Sequence, residues 1–114
     1  VVSDADPAAR LVEALKEVAA KKGSYGRKWP FYLAPRYPTA GVKEQLKEMM
    51  LRSPDDWTRL QAARALLKCR DPAYPYRAAF RQALEDPYFL ANSDLTYYYP
   101  VRELARRALN WKPK

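Results

Sequence analysis

Histidine is missing from the 114 residues, and cysteine occurs once, at Cys69. The usual donor sets for zinc, copper and haem draw on His and Cys, and a lone cysteine closes no internal disulfide, so neither a metal nor any other cofactor is expected. Glycine is scarce as well, with 3 residues against 10 prolines. No glycine-rich loop that wraps a nucleotide phosphate can be built from so few, and no nucleophile motif is present. Long apolar runs are absent too. Charged residues interrupt every stretch well short of the roughly 18 apolar residues that a membrane helix needs. The acids Glu13, Glu17, Glu44 and Glu48 fall on polar helix faces, where no apolar surroundings tune a carboxyl for proton transfer. The chain therefore reads as a non-catalytic protein without a transmembrane segment or a small-molecule substrate.

Hydrophobic residues make up 48% and charged residues 30% of the chain, the balance of a sequence that buries a core rather than of a disordered tail. Its length suits one domain over residues 1–114. Lys and Arg number 21 against 13 Asp and Glu, a formal charge of +8. That excess favours acidic partners of any kind and also serves solubility. Residue 1 is Val1 rather than methionine. The compartment is open on this reading: cytoplasmic, or periplasmic or secreted if a signal peptide has been removed.

The apolar residues recur with the helical period throughout, and no segment alternates as a strand would, which predicts an all-α fold of about five helices. Asp6-Pro7 caps a first helix in which Leu11, Leu15 and Val18 form a stripe, ending at Lys21-Lys22-Gly23. Residues 24–40 hold three prolines and five aromatics without a period, so a loop is expected there, capping the core. Thr39 caps a second helix over about 41–52. Ser53-Pro54-Asp55-Asp56 starts a third, rich in Ala and Leu, which runs to about Lys68 and should occupy the middle of the fold. Asp71-Pro72 or Tyr74-Pro75 opens a fourth, with Tyr76, Ala79, Phe80, Ala83 and Leu84 on its apolar stripe. An aromatic connector from Tyr88 to Tyr99 leads to a fifth, which Trp111 plugs at its end.

A shift of 43 residues pairs Arg59 with Arg102, Ala62 with Ala105, Arg64 with Arg107 and Leu66 with Leu109. The helices that precede them also correspond, both ending in an apolar pair ahead of Pro54 or Pro87. Two helices per unit and a period near 40 are the arithmetic of an α-solenoid. TRLQAARALL and PVRELARRAL resemble the second helix of HEAT repeats. The resemblance covers residues 41–111 and implies a HEAT-like array of two helical hairpins over 41–114, with residues 1–40 as an N-terminal helix and aromatic cap. It implies also that Arg59 and Arg102 are structural repeat arginines, each bonding an acid at its turn. Asp55 or Asp56 would serve Arg59, whereas the second unit has only Asp94 in a longer connector.

Between Val18 and Lys43 six cations alternate with aromatics and no acid, so Trp29, Phe31, Tyr32 and Arg36 are candidate partner-binding residues or, alternatively, the cover of the core's open end. Tyr97 and Tyr98, beside Tyr99 and Pro100, offer rigid amphipathic contact surface. On a helix start the three tyrosines would span about 200° of arc, so at least one is expected to face inward. Arg59, Arg64, Arg102, Arg106 and Arg107 recur on two helices. Arg106 and Arg107 are candidate binding residues, for acidic protein or for phosphates. The expected function is a helical-repeat module for protein–protein interaction, its partner another protein with an acidic surface, and the alternative is binding to a nucleic-acid backbone.

Overall fold

The computed structural model of the protein describes residues 6–20, 28–71 and 74–111. Its helices start where a side chain satisfies the first free amides. The Asp6 carboxylate accepts from the amide of Ala9 at 3.1 Å and opens α1 (Pro7–Ala20), while the stop expected at Lys21–Gly23 lies outside the described residues. Thr39 accepts from the amide of Val42 at 3.3 Å and opens α3 (Ala40–Arg52), as expected. The cap of α4 (Asp56–Lys68) is Asp55 rather than Ser53. Ser53 is already the C-cap of α3 and Pro54 offers no amide, so the next acid takes the cap, accepting from the amide and hydroxyl of Thr58 at 2.9 and 2.7 Å. The remaining long helices are α5 (Tyr74–Ala83) and α6 (Pro100–Asn110).

Two connectors hold more order than their sequences suggest. The expected loop over 24–40 contains a short helix, α2 (Trp29–Leu33), followed by a 3-10 turn, Ala34–Arg36. Pro30 and Pro35 each sit at the first positions of a turn, where a missing amide costs nothing, and their spacing allows single turns too short for a period to register. Pro30, Phe31 and Ala34 are buried, so this connector is part of the core. The segment after α5 forms a small antiparallel hairpin, β1 (Leu90–Ala91) with β2 (Tyr97–Tyr98), in a chain for which no strand was expected. A ladder of two residues is below the length at which alternation can be read. The tyrosines are thus extended rather than helical: Tyr97 and Tyr98 are exposed, and half-buried Tyr99 lies under the Arg102 guanidinium, 4.1 Å from its ring centroid.

The helices pack in two layers. α3 contacts α1 and α5, and α4 contacts α2 and α6, with α3 against α4 and α5 against α6. Three helical pairs therefore stack side by side, the proline-rich connector supplying the second helix of the first pair. Lying between α2, α3 and α6, α4 buries Ala62 and Ala63 completely, because close approach on three sides leaves no room for longer side chains. Ala62→Leu should overpack this layer and cost about 1–3 kcal/mol in urea unfolding, whereas Ala20→Leu, at an exposed position of α1, should stay within about 0.5 kcal/mol. Equal effects would show that α4 is not the central helix.

One aspartate joins the second and third pairs. Asp86, 7% exposed at the end of α5, accepts from Arg59 Nε at 2.8 Å and from the amide of Tyr88 at 2.9 Å. Arg59 is 8% exposed and also bonds Asp56. Burial opposes its charge, but the two carboxylates outweigh that and hold the guanidinium above its ordinary value. Arg59 further donates to the carbonyl of Ser53 at 3.0 Å, and Arg102 to the carbonyl of Asp86 at 2.7 Å. Both carbonyls belong to the residue before a proline, Pro54 or Pro87. Arg59 and Arg102, 43 residues apart, thus each bond the carbonyl ahead of a proline, across 6 residues in one case and 16 in the other. The longer span contains the hairpin. The acid expected at each turn is met for Arg59 by Asp56 with Asp86 added; for Arg102 the partner is this carbonyl and not Asp94, which accepts from Thr96 inside the hairpin turn.

Candidate functional site

Charge is distributed unevenly between the two layers. On α1 and α3 cations meet acids one turn away: Lys16 with Glu13, Lys47 with Glu44 at 2.8 Å, and Arg52 with Glu48 at 3.1 Å. Lys43 bonds Asp71, which holds its pKa above the ordinary lysine value. That contribution to stability is present through neutral pH and is lost only as the pH rises past the lysine range. On α4 no acid follows Asp56, and α6 carries only Glu103. Arg64 and Lys68 are exposed and have no ion-pair partner among the described residues.

A half-open groove of about 370 Å³ crosses this second layer. Three helix starts and stripes build it. Lys28, Phe31 and Tyr32 come from the first turn of α2; Gln61, Arg64, Ala65 and Lys68, spaced i, i+3, i+4 and i+7, from one face of α4 along with Leu67; and Leu104 and Arg107 from adjacent turns of α6. Phe31, Ala65, Leu67 and Leu104 give it an apolar floor, and four cations stand around them. No acid among the described residues lines it.

The candidate residues divide accordingly. Tyr32, 67% exposed, and Arg107 are at the groove. Phe31, expected at a partner surface, is 5% exposed and meets Trp57 edge-on at 6.0 Å between ring centroids, so it is mainly a core residue that lends an edge to the groove floor. Trp29 is 54% exposed and lines a separate cleft of about 200 Å³ with Leu11, Leu33 and Tyr37. Arg36 is exposed on the 3-10 turn, outside the groove. Arg106 is exposed and lies 3.4 Å from Glu103, which is also 4.0 Å from Arg107. Tyr97 and Tyr98 stand on the hairpin with exposed Phe89, Leu90 and Leu95. Lys21, Lys22, Tyr25 and Arg27 lie outside the described residues.

Sequence reasoning missed Lys68, Gln61 and Leu104 as groove residues, although the i, i+3, i+4, i+7 pattern on α4 was available to be read. It missed Leu95 as well. This residue adopts φ 67° at the hairpin turn, a conformation that suits Gly or Asn, and its side chain is 84% exposed. The turn is fixed around it by Asn92, whose amide bonds the Thr96 carbonyl at 2.9 Å, and by the Asp94 carboxylate, which Thr96 hydrogen bonds hold below the usual carboxylate range.

Burial pushes the half-buried Cys69 thiol up to about 11. At pH 8 it should alkylate with iodoacetamide roughly two orders of magnitude more slowly than a free cysteine, in proportion to its thiolate fraction. Alkylation at the free-thiol rate would show that Cys69 is not shielded. Among the described residues no three His, Cys, Asp or Glu side chains converge on a common point, and no helix is long and apolar enough to cross a membrane. Comparison with known proteins returns no match to a family model, a curated protein or a solved structure.

Proposed function

We propose that the chain is a short HEAT-like array of helical pairs whose role is to bind another protein, without chemistry of its own. Three stacked pairs and two arginines 43 residues apart that make the same carbonyl bond support the repeat reading. The observation that carries the binding reading is the groove across α2, α4 and α6. Four cations set around an apolar floor, of which Arg64 and Lys68 have no ion-pair partner among the described residues, make a surface that the described residues leave uncovered and that an acidic protein complements. The hairpin is a second contact element, since insertions into repeat units commonly form binding loops and this one presents Leu95, Tyr97 and Tyr98 to solvent. Nucleic acid is the competing partner because of the four cations. The apolar floor weighs against it, as phosphates gain nothing from Leu67 and Leu104.

The test is recovery of partners from nuclease-treated extract at about 150 mM salt. The wild-type chain should retain a defined protein, and the paired change Arg64→Glu and Lys68→Glu should reduce that recovery at least about tenfold with an unchanged melting curve, because both side chains are exposed. Recovery that vanishes on nuclease treatment alone would make nucleic acid the partner.

A further inference from the structure

We infer that the ligand of the groove is a segment of the partner chain in which carboxylates flank apolar side chains. This rests on the protein-binding reading and names the partner's chemistry. The rim cations approach from three elements: Lys28 at the start of α2, Arg64 and Lys68 one turn apart on α4, and Arg107 on α6. Between them lie Leu67 and Leu104. Solvent-exposed ion pairs alone are weak and screened by salt, so acidity by itself does not hold a ligand here. Apolar contact alone would not discriminate by charge. Floor and rim together select a segment that has both, its apolar side chains seated on Leu67 and Leu104 while its carboxylates reach outward to the cations. A groove of about 370 Å³ accepts a few side chains of such a segment rather than a folded domain. Glu103, the acid of α6, is not among the lining residues; it lies 3.4 Å from Arg106 and, at 4.0 Å, only loosely pairs the rim cation Arg107.

The experiment uses the full chain and a panel of synthetic peptides about 15 residues long, four turns if helical. In the panel Leu and Phe alternate with Asp and Glu at varied spacing. Matched controls replace the apolar residues by Ser or the acids by Lys, and a short DNA duplex is a further probe. Binding is read by fluorescence anisotropy, and its location by nuclear magnetic resonance shifts. At least one acidic–apolar peptide should bind saturably and shift the signals of Tyr32, Ala65, Leu67 and Leu104. Both control peptides should bind at least about tenfold more weakly, and so should the Arg64→Glu, Lys68→Glu chain toward the acidic–apolar peptide. Equal binding of the Ser control or of the duplex would overturn the inference by reducing the groove to a general polyanion strip. So would binding indifferent to the double charge reversal, or no saturable binding by any member of the panel. The broader protein-binding reading fails separately. A partner protein still recovered by the charge-reversed chain but lost on Leu95→Asp would leave that reading standing on the hairpin while the groove assignment falls.

Discussion

Asp86→Ala is expected to destabilise the protein by about 3 kcal/mol, the lower end of the range for removing one partner of a buried ion pair. The loss is large because the guanidinium of Arg59 stays behind, 8% exposed, without the carboxylate that meets its Nε at 2.8 Å. It is held to the lower end because Asp56 still bonds the other side of the guanidinium. The amide of Tyr88 loses its acceptor too, which loosens the base of the hairpin. The double change Asp86→Ala and Arg59→Met should recover part of the stability, since an apolar side chain leaves no buried charge, though the bond to the Ser53 carbonyl is gone. Urea unfolding distinguishes these cases. A loss below about 1 kcal/mol for Asp86→Ala would place the pair among ordinary surface bridges.

The second large effect is expected at Phe31. Truncation to Ala should cost about 3 kcal/mol, the usual scale for emptying a buried aromatic site, and should release the edge contact with Trp57. Trp29→Ala, two residues away and 54% exposed, should cost less than about 1 kcal/mol. The contrast tests whether α2 belongs to the core. Similar small losses at both positions would return residues 28–36 to the status of a surface loop.

Long helices were legible because their signals are local. Asp6-Pro7, Thr39 and the stripes Leu11, Leu15, Val18 and Tyr76, Ala79, Phe80, Ala83 name their own starts and inner faces, and each is found as read. The middle position of the Ala-rich helix was also readable, since small residues at 62, 63 and 65 make sense only where helices approach closely. What escaped was anything shorter than a period. One turn of helix between Pro30 and Pro35, and a two-residue ladder closed by Asn92 and Thr96, depend on tertiary context that a window of residues does not contain. Asp86 could not be read as a partner of Arg59, because their bond spans 27 residues and leaves no local trace. The groove was half legible. Tyr32 and Arg107 were read as candidate binding residues, but that Lys28, Arg64, Lys68 and Arg107 share one apolar floor follows only from the stacking of α2, α4 and α6.

Hydrogen–deuterium exchange of the chain in complex with the protein it captures tests the central claim most directly, since it reports which backbone amides the partner covers. Protection is predicted over 28–32, 61–68 and 104–107, the three stretches that line the groove, with the exposed faces of α1, α3 and α5 unchanged. Protection confined to those outer helices, with the groove stretches exchanging as in the free chain, would contradict the assignment of the second layer as the binding face.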